Sequence, residues 1–334
     1  MTPLYPLRFQ PLFRNYLWGG SRLRDLLNKQ TGPGIWAESW EVVDHANGQS
    51  VVSFGPHAGQ SLNELIAVFG PKLVGEESFT RITSPAIPKQ LRFRFPLLFK
   101  YLDANHDLSV QVHPDDAMAA TLGTPDLGKT EAWYVLHAEP GAKIFAGFKP
   151  GVSRQDFIDA IVSGRTAELL NVISAQAGQC IFIPAGTIHA IGAGLVVAEI
   201  QQASDTTFRV FDWNRKGAGG KPRPLHINQA LAATNFETGP IVPQPRMTDP
   251  KGNRNVLVSC PYFQMNLLNI DSDFVVEADG RFRILAVIRG QVEVEGDWCG
   301  EPLNPGETIL LPAGLPNTRL SPVGATELLE IFVP

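Results

Sequence analysis

The segment Leu108-Ser-Val-Gln-Val-His113 alternates apolar and polar residues without a break. A β-strand has a side-chain period of two, so Ser109, Gln111 and His113 share one face while Leu108, Val110 and Val112 share the other. One face is core, and the other offers a hydroxyl, an amide oxygen and an imidazole. Further along, Lys129-Thr-Glu131-Ala-Trp133-Tyr-Val-Leu alternates in the same way and can aim Glu131 at the same interior. His189 closes the glycine- and proline-marked segment that begins at Gly178. Two imidazoles, a carboxylate and an amide carbonyl make a nitrogen and oxygen donor set that suits Zn²⁺ and is compatible with Mn²⁺, Fe²⁺, Co²⁺ or Ni²⁺. Structural zinc sites are usually closed and cysteine-rich; this set has no thiolate and leaves positions for water or substrate oxygens, which points to one catalytic ion per chain. A single histidine or strand glutamate is ordinarily a satisfied core or surface residue. The case for Gln111, His113, Glu131 and His189 rests on their joint pattern, which His45, His57, His106, His137 and His226 do not share.

The elements that must position these residues are mostly strands. Thirty-one glycines and 27 prolines separate short apolar or alternating runs, the texture of a mainly β chain. Three helices are expected. Ser61-Leu-Asn-Glu64 has the capping-box pattern and opens an apolar-periodic stretch that stops at Gly70. Phe157, Ile158, Ile161 and Val162, followed by Leu169, Leu170 and Ile173, predict a second helical region over Ser153 to Ser174, read as a lid or wall of the pocket. A third is expected over Ile227 to Thr234. Between residues 237 and 255 the composition shifts to proline, glycine and polar residues, and a linker is expected there. It would separate a metal-binding domain at 1–236, carrying the helical insertions, from a second β-domain at 256–334.

An internal repeat sharpens this division. Gly178-Gln-Cys-Ile-Phe-Ile-Pro184-Ala-Gly186-Thr-Ile-His189 aligns without gaps to Gly306-Glu-Thr-Ile-Leu-Leu-Pro312-Ala-Gly314-Leu-Pro-Asn317. Both copies read as a turn, a buried strand and a Pro-x-Gly turn that aims the next polar side chain into a barrel mouth. The pattern resembles the second signature motif of cupins, and two copies resemble a bicupin, two jelly-roll-like barrels in one chain. The second copy carries Asn317 where the first carries His189, so only the first barrel is expected to bind metal.

Bulk properties exclude several function classes. A net charge of −5 and a pI near 5.8 disfavour a nucleic-acid binder, and the one basic cluster, Lys89 to Arg94, reads as a solvated loop before an apolar segment. No apolar run reaches 18 residues and no export signal is seen at the N-terminus, so a cytoplasmic protein that enters no membrane is expected. Cys180, Cys260 and Cys299 show no ligand spacing and fit a reducing compartment, with Cys180 a core residue.

Phe95-Pro-Leu-Leu-Phe-Lys100-Tyr-Leu-Asp, Leu108 to Asp116, Gly128-Lys-Thr-Glu-Ala-Trp-Tyr134, Pro184-Ala-Gly-Thr-Ile-His189-Ala-Ile-Gly192 and Ser204-Asp-Thr-Thr-Phe-Arg209-Val-Phe-Asp-Trp213 together resemble the successive motifs of the type I mannose-6-phosphate isomerases, or phosphomannose isomerases, in their short bacterial form. Asn15-Tyr-Leu-Trp18-Gly-Gly and Glu38-Ser-Trp-Glu-Val42 fit as well. The resemblance implies a zinc enzyme that interconverts mannose 6-phosphate and fructose 6-phosphate, with Gln111, His113, Glu131 and His189 as ligands. It also implies that Lys129, Glu199 and Arg209 bind substrate or move protons, and that Ser109 and Lys100 stand near the phosphate. Aldose–ketose isomerisation moves a proton between C2 and C1 through an enediol(ate), so the site needs a base. Glu199 shares a strand face with Gln201 just after His189 and is the first candidate; Lys129, if its pKa is lowered by a neighbouring cation, is the second. Arg209 could meet the phosphate or the developing oxyanion. A small sugar phosphate is the expected partner, and the chain is expected to be a monomer or weak homodimer. An isomerase of an unphosphorylated or different sugar, an Fe²⁺ dioxygenase, and a non-catalytic sugar-binding bicupin are the alternatives.

Overall fold

Short strands separated by tight turns assemble into two pairs of antiparallel sheets in the computed structural model, which describes residues 2–216, 220–249 and 252–334. The mainly β architecture expected from the sequence is what the chain adopts, with a few short helices between strands. In the first pair, a six-stranded sheet runs Leu12–Arg14, Glu38–Val42, Leu97–Ala104, Leu195–Gln202, Glu131–Ala138, Cys180–Ile183. Facing it, a five-stranded sheet runs Phe208–Phe211, Val110–Val112, His189–Ile191, Lys143–Phe148, Leu170–Ser174. The interior between them is filled by Leu102, Trp133, Val135, Ile144, Ile181, Ile183, Ile191 and Val197, drawn from both sheets.

The second pair repeats this plan. A six-stranded sheet is built from Met247–Thr248, Arg254–Ser259, Gln264–Ile270, Thr326–Phe332, Arg283–Arg289 and Thr308–Leu311, in that order. Phe274–Val276, Thr318–Pro322 and Val292–Val294 form the smaller sheet opposite. The two six-stranded sheets share a core through their outer faces: Phe99, Tyr101, Tyr134, Ala198 and Ile200 cluster with Met265, Leu267, Ile284, Leu329 and Ile331. Strands Leu97–Ala104 and Leu195–Gln202 are therefore buried at every residue. A strand covered on both faces has no solvent side to which a charged residue could turn.

The capping box at Ser61 and Glu64 is formed, and that helix covers Leu62–Phe69 as anticipated; Ile227–Ala233 is likewise helical. The expected helix over Ser153 to Ser174 needs correction. It spans Arg154–Val162, gives way at Gly164 (φ 70°) to a short 3₁₀ turn at Thr166–Leu169, and continues as strand Leu170–Ser174 on the sheet edge. Val172 and Ile173 are β-branched and pair with Lys143–Phe148, so the tertiary edge overrides the helical spacing of the leucines. Nor is this helix a lid. Phe157 packs with Val110, Phe148, Phe208 and Ala230 against the outer face of the five-stranded sheet, away from the barrel interior. Helices at Arg22–Leu27, Pro71–Val74, Glu76–Thr83 and Asp116–Leu122 were not anticipated.

Described residues of the stretch 237–255 bond to both sheet pairs. Ile241 and Gln244 donate backbone hydrogen bonds to Ala146 and Cys180 of the first sheet pair, and Met247–Thr248 pairs with the second. Residues 250 and 251 of that stretch lie outside the described residues. At the other end of the chain, Leu7 exchanges backbone hydrogen bonds with Leu310. No helix among the described residues is long and apolar enough to cross a membrane.

Candidate metal centre and active site

Strand Val110–Val112 lies beside strand His189–Ile191 with Gln111 opposite His189, and on its other side strand Phe208–Phe211 sets Arg209 opposite Gln111. These three polar residues are thus neighbours by register alone. The turn before His189 needs Gly186 in the left-handed region (φ 83°), and the Gly186 N–H donates to the carbonyl of His113, tying two segments of the site together. Glu131 opens its strand directly opposite Ile183. Gly128, just before it, is required by close approach: a Cβ there would lie 2.5 Å from the backbone of Asp115 and Asp116.

The result is a buried cluster. Glu131 Oε1 stands 3.3 Å from His189 Nε2 and 3.6 Å from His113 Nε2, and ligand atoms of the three residues all lie within 4.8 Å of one another, an arrangement that could hold a metal ion. Among the described residues this is the group of three or more such side chains that converges in this way. Each imidazole is oriented from behind. His113 Nδ1 is 2.8 Å from the Thr206 carbonyl and His189 Nδ1 is 2.9 Å from the Thr187 carbonyl. A carbonyl only accepts, so Nδ1 carries the hydrogen and the Nε2 lone pair faces the cluster, the tautomer a metal ligand needs. Burial holds both histidines below the ordinary imidazole range, His189 at about 3, so both are neutral. Neither oxygen of Glu131 accepts an aligned hydrogen bond although both are buried. Lys129 Nζ lies against Oε2 as an ion pair, so Oε1, facing both imidazoles, is the buried acceptor left for a further cation.

Four further charges crowd the same cavity of about 300 Å³. Lys129 Nζ is 2.6 Å from Glu131 Oε2 and 3.5 Å from Glu199 Oε1; Lys100 Nζ is 3.3 Å from Glu199 Oε1 and 3.4 Å from Glu38 Oε1. Trp133 Nε1 donates to Glu199 Oε2 at 3.0 Å. Glu199 is 2% exposed, so the reading of it as a solvated strand carboxylate is excluded. Burial pushes its carboxyl above the usual carboxylate range, although Lys100 and Lys129 pull the other way. Glu131 is held well below that range: burial opposes its charge, but the Lys129 ammonium at 2.6 Å outweighs it. The expectation of a lowered pKa at Lys129 is corrected. Burial does act downward, yet Glu131 and Glu199 more than compensate and hold the ammonium above the ordinary lysine value.

At the outer end of the cavity, Arg209 Nε donates to Ser109 Oγ at 3.2 Å, and Ser109 Oγ donates to Gln111 Oε1 at 3.2 Å. Gln111 Nε2 faces His189 Nε2 at 3.4 Å, so metal ligation through its oxygen requires the amide turned over, a half-turn about one bond. All nine residues singled out in the sequence surround one site. Sequence reading assigned no role to Tyr16, Trp18, Glu38, Asp205 and Arg223, which also line the cavity. Tyr16, Trp18 and Glu38 sit in motifs noticed for their resemblance; Arg223 carried no signal.

The second sheet pair shows why it differs. Arg283 lies opposite Leu311 as Glu131 lies opposite Ile183, and Glu330 lies between Asn266 and Leu285 as Glu199 lies between Lys100 and Trp133. Arg254, facing Leu268, takes the position of Glu38, which faces Leu102. Where the first barrel aims carboxylates inward, the second aims guanidiniums. Glu330 Oε2 accepts from Arg254 Nε at 2.9 Å and Asn266 Nδ2 at 2.8 Å, with Arg283 Nε 3.4 Å from Oε1.

With this geometry in view, comparison with known proteins is informative. Residues 6–132 match the family model "Phosphomannose isomerase type I, catalytic domain". The chain is 33% identical to mannose-6-phosphate isomerase ManA of Bacillus subtilis over 94% of its own length and 95% of the relative's, and 36% identical to mannose-6-phosphate isomerase of Streptococcus mutans over 92% of each. Its fold matches the crystal structure of the mannose 6-phosphate isomerase from Bacillus subtilis with a TM-score of 0.84 at 30% identity, covering 98% of this chain and 99% of that one.

Proposed function

Because the chain belongs to the type I phosphomannose isomerases, aldose–ketose isomerases that interconvert mannose 6-phosphate and fructose 6-phosphate, we propose the following division of labour in its cavity. His113, Glu131, His189 and Gln111 hold one divalent ion. Zinc is the ion we favour: the donor set suits it, and a mannose 6-phosphate isomerase of similar fold is described with zinc bound (TM-score 0.75, 18% identity). When bound, such an ion supplies Lewis-acid polarisation of the oxygens on C1 and C2, acidifying the C–H proton that must leave.

Glu199 carries that proton between C2 and C1. Its position supports the role: one oxygen is anchored by Trp133, the other faces Lys100 and Lys129 without an aligned hydrogen bond, and burial lifts its basicity toward the value at which proton transfer is efficient. Lys129 stays protonated and hydrogen-bonds the oxygen on which negative charge develops; it is a donor in this scheme, not the base. Lys100 balances Glu199 and Glu38 at the cavity floor and meets sugar oxygens from there. Ser109 and Arg209 receive the far end of the substrate. The second sheet pair, with Arg283 at the position of Glu131, binds no metal and buttresses the first. We further propose a cytoplasmic enzyme acting as a monomer or weak homodimer, divided near residues 237–255.

The observation that carries this reading is the convergence of two neutral buried imidazoles on one oxygen of a buried carboxylate, beside a second, basic carboxylate. Metal analysis of the purified protein, paired with a coupled assay for fructose 6-phosphate formed from mannose 6-phosphate, tests it. Chelation should abolish turnover and zinc should restore it. Equal rates with and without bound metal would refute the scheme.

A further inference from the structure

Two guanidiniums pair with a single carboxylate at the outer end of the cavity, and a third stands nearby. Asp212 Oδ2 accepts from Arg223 Nε at 2.7 Å, and Asp212 Oδ1 accepts from Arg223 Nη2 and Arg215 Nη2, each at 2.6 Å. Arg209 is fastened next to them. Its Nη1 donates to the carbonyl of Pro224 at 3.1 Å, its backbone N–H donates to His226 Nδ1 at 3.2 Å, and the His226 N–H returns a bond to the Arg209 carbonyl. The segment that carries Arg223 is therefore docked along the strand that carries Arg209, and both side chains line the cavity. The nearness of the charges is visible in Arg209 itself, whose pKa is lowered first by burial and then by Arg223 and Arg215.

We propose that Arg223, working with Arg209, grips the phosphate of the sugar substrate, and that Asp212 is the positioning residue that fixes the Arg223 fork. This deepens the reading of the cavity as a sugar-phosphate isomerase site and rests on it. Three guanidiniums outnumber the nearby carboxylates of Asp212 and Asp205 and leave a local positive excess, suited to a phosphate dianion. Bonds to Asp212 occupy the Nε and Nη2 edge of Arg223, which leaves Nη1 to donate, and Arg209 retains Nη2 in the same way. Reach is adequate. Two contacts of 3.2 Å lead from the Gln111 amide through Ser109 to Arg209, and an extended hexose chain of single bonds near 1.5 Å sets its phosphorus roughly 7 Å from the C1–C2 oxygens. Lys100, by contrast, is enclosed by Glu38 and Glu199, where a dianion would be repelled.

The test compares the unaltered enzyme with Arg223→Gln, Arg223→Lys and Asp212→Asn in the coupled assay, with inorganic phosphate as competitive inhibitor. Arg223 side-chain exposure is 30%, so the substitutions are expected to fold, and a melting curve verifies this. Arg223→Gln should raise KM for mannose 6-phosphate roughly 10- to 100-fold with kcat within threefold, and weaken phosphate inhibition in proportion. Arg223→Lys should recover part of that loss. Asp212→Asn should give a smaller rise in KM of the same kind. A folded Arg223→Gln with KM and phosphate inhibition within twofold of the unaltered enzyme overturns the proposal, as does a fall in kcat alone. Failure of the unaltered enzyme to turn over mannose 6-phosphate would remove the underlying reading and the clamp with it; normal turnover with an unmoved KM removes the clamp alone.

Discussion

Glu199 and Glu330 occupy the same register position in two sheets of the same plan, so one substitution, Glu→Gln, made separately at each should have opposite consequences. Glu330 is 1% exposed and accepts from Arg254 and Asn266, with Arg283 at 3.4 Å. Breaking a buried ion pair by neutralising one partner typically costs 3–5 kcal/mol, since the remaining charge stays desolvated. Here Arg283 keeps Asp279 as a partner and Arg254 reaches solvent, so the lower end, about 3 kcal/mol, is expected. For a chain of this length each kcal/mol lowers Tm by roughly 1.4 °C, giving a fall of about 4 °C for Glu330→Gln. Its kcat at 25 °C should be unchanged. Glu199→Gln keeps shape and leaves Lys100 with Glu38 and Lys129 with Glu131, so its Tm should move by less than about 1.5 °C. Its kcat should fall about 10²- to 10⁴-fold, the usual worth of a positioned proton carrier. Differential scanning calorimetry and the coupled isomerase assay on the same preparations read both quantities. A Glu199→Gln enzyme with near-normal kcat, or a Glu330→Gln protein that loses turnover without losing stability, refutes the assignment of chemistry to one sheet pair and support to the other.

Trp133→Phe removes the hydrogen bond that favours ionised Glu199, so the acid limb of the kcat/KM profile should move to higher pH; an unmoved limb would show that Glu199 is not the titrating base. Without metal, His113 and His189 titrate below the ordinary imidazole value in the folded protein, so the unfolded state binds more protons as pH falls. Stability of chelated protein should hold above about pH 6.5 and decline below it, toward the folded value near 3 for His189, with a slope approaching about 1.4 kcal/mol per pH unit per histidine. Urea midpoints at pH 7.5 and 5.5 measure this, and equal midpoints would contradict the neutral-imidazole assignment. Gly128→Ala forces a methyl against the backbone of Asp115 and Asp116, which has no flexible end to yield; both Tm and kcat should fall, because Lys129 and Glu131 follow directly.

Much of the site was legible before any fold was known. Strict alternation in Leu108 to His113 fixes which side chains share a face, because the strand period is local geometry, and the gapless repeat ending in His189 and Asn317 points to a second pair of sheets with an amide where the first has an imidazole. Periodicity was least reliable where tertiary edges compete with it, as at Leu170–Ser174, which pairs as a strand despite helical spacing. It was also silent wherever a residue's partner lies far along the chain. That Glu199 is buried and basic follows from sheets packed on both sides of its strand, and that Lys129 stays charged follows from two carboxylates brought to it by other strands. Arg223 owes its place to a loop folded back on Arg209, and Arg283 acquires meaning only when set in register beside Glu131. Sequence by itself determined which side-chain types are offered and the strand faces they occupy. Electrostatic environment depends on distances between segments remote in sequence, and only the tertiary structure decided those.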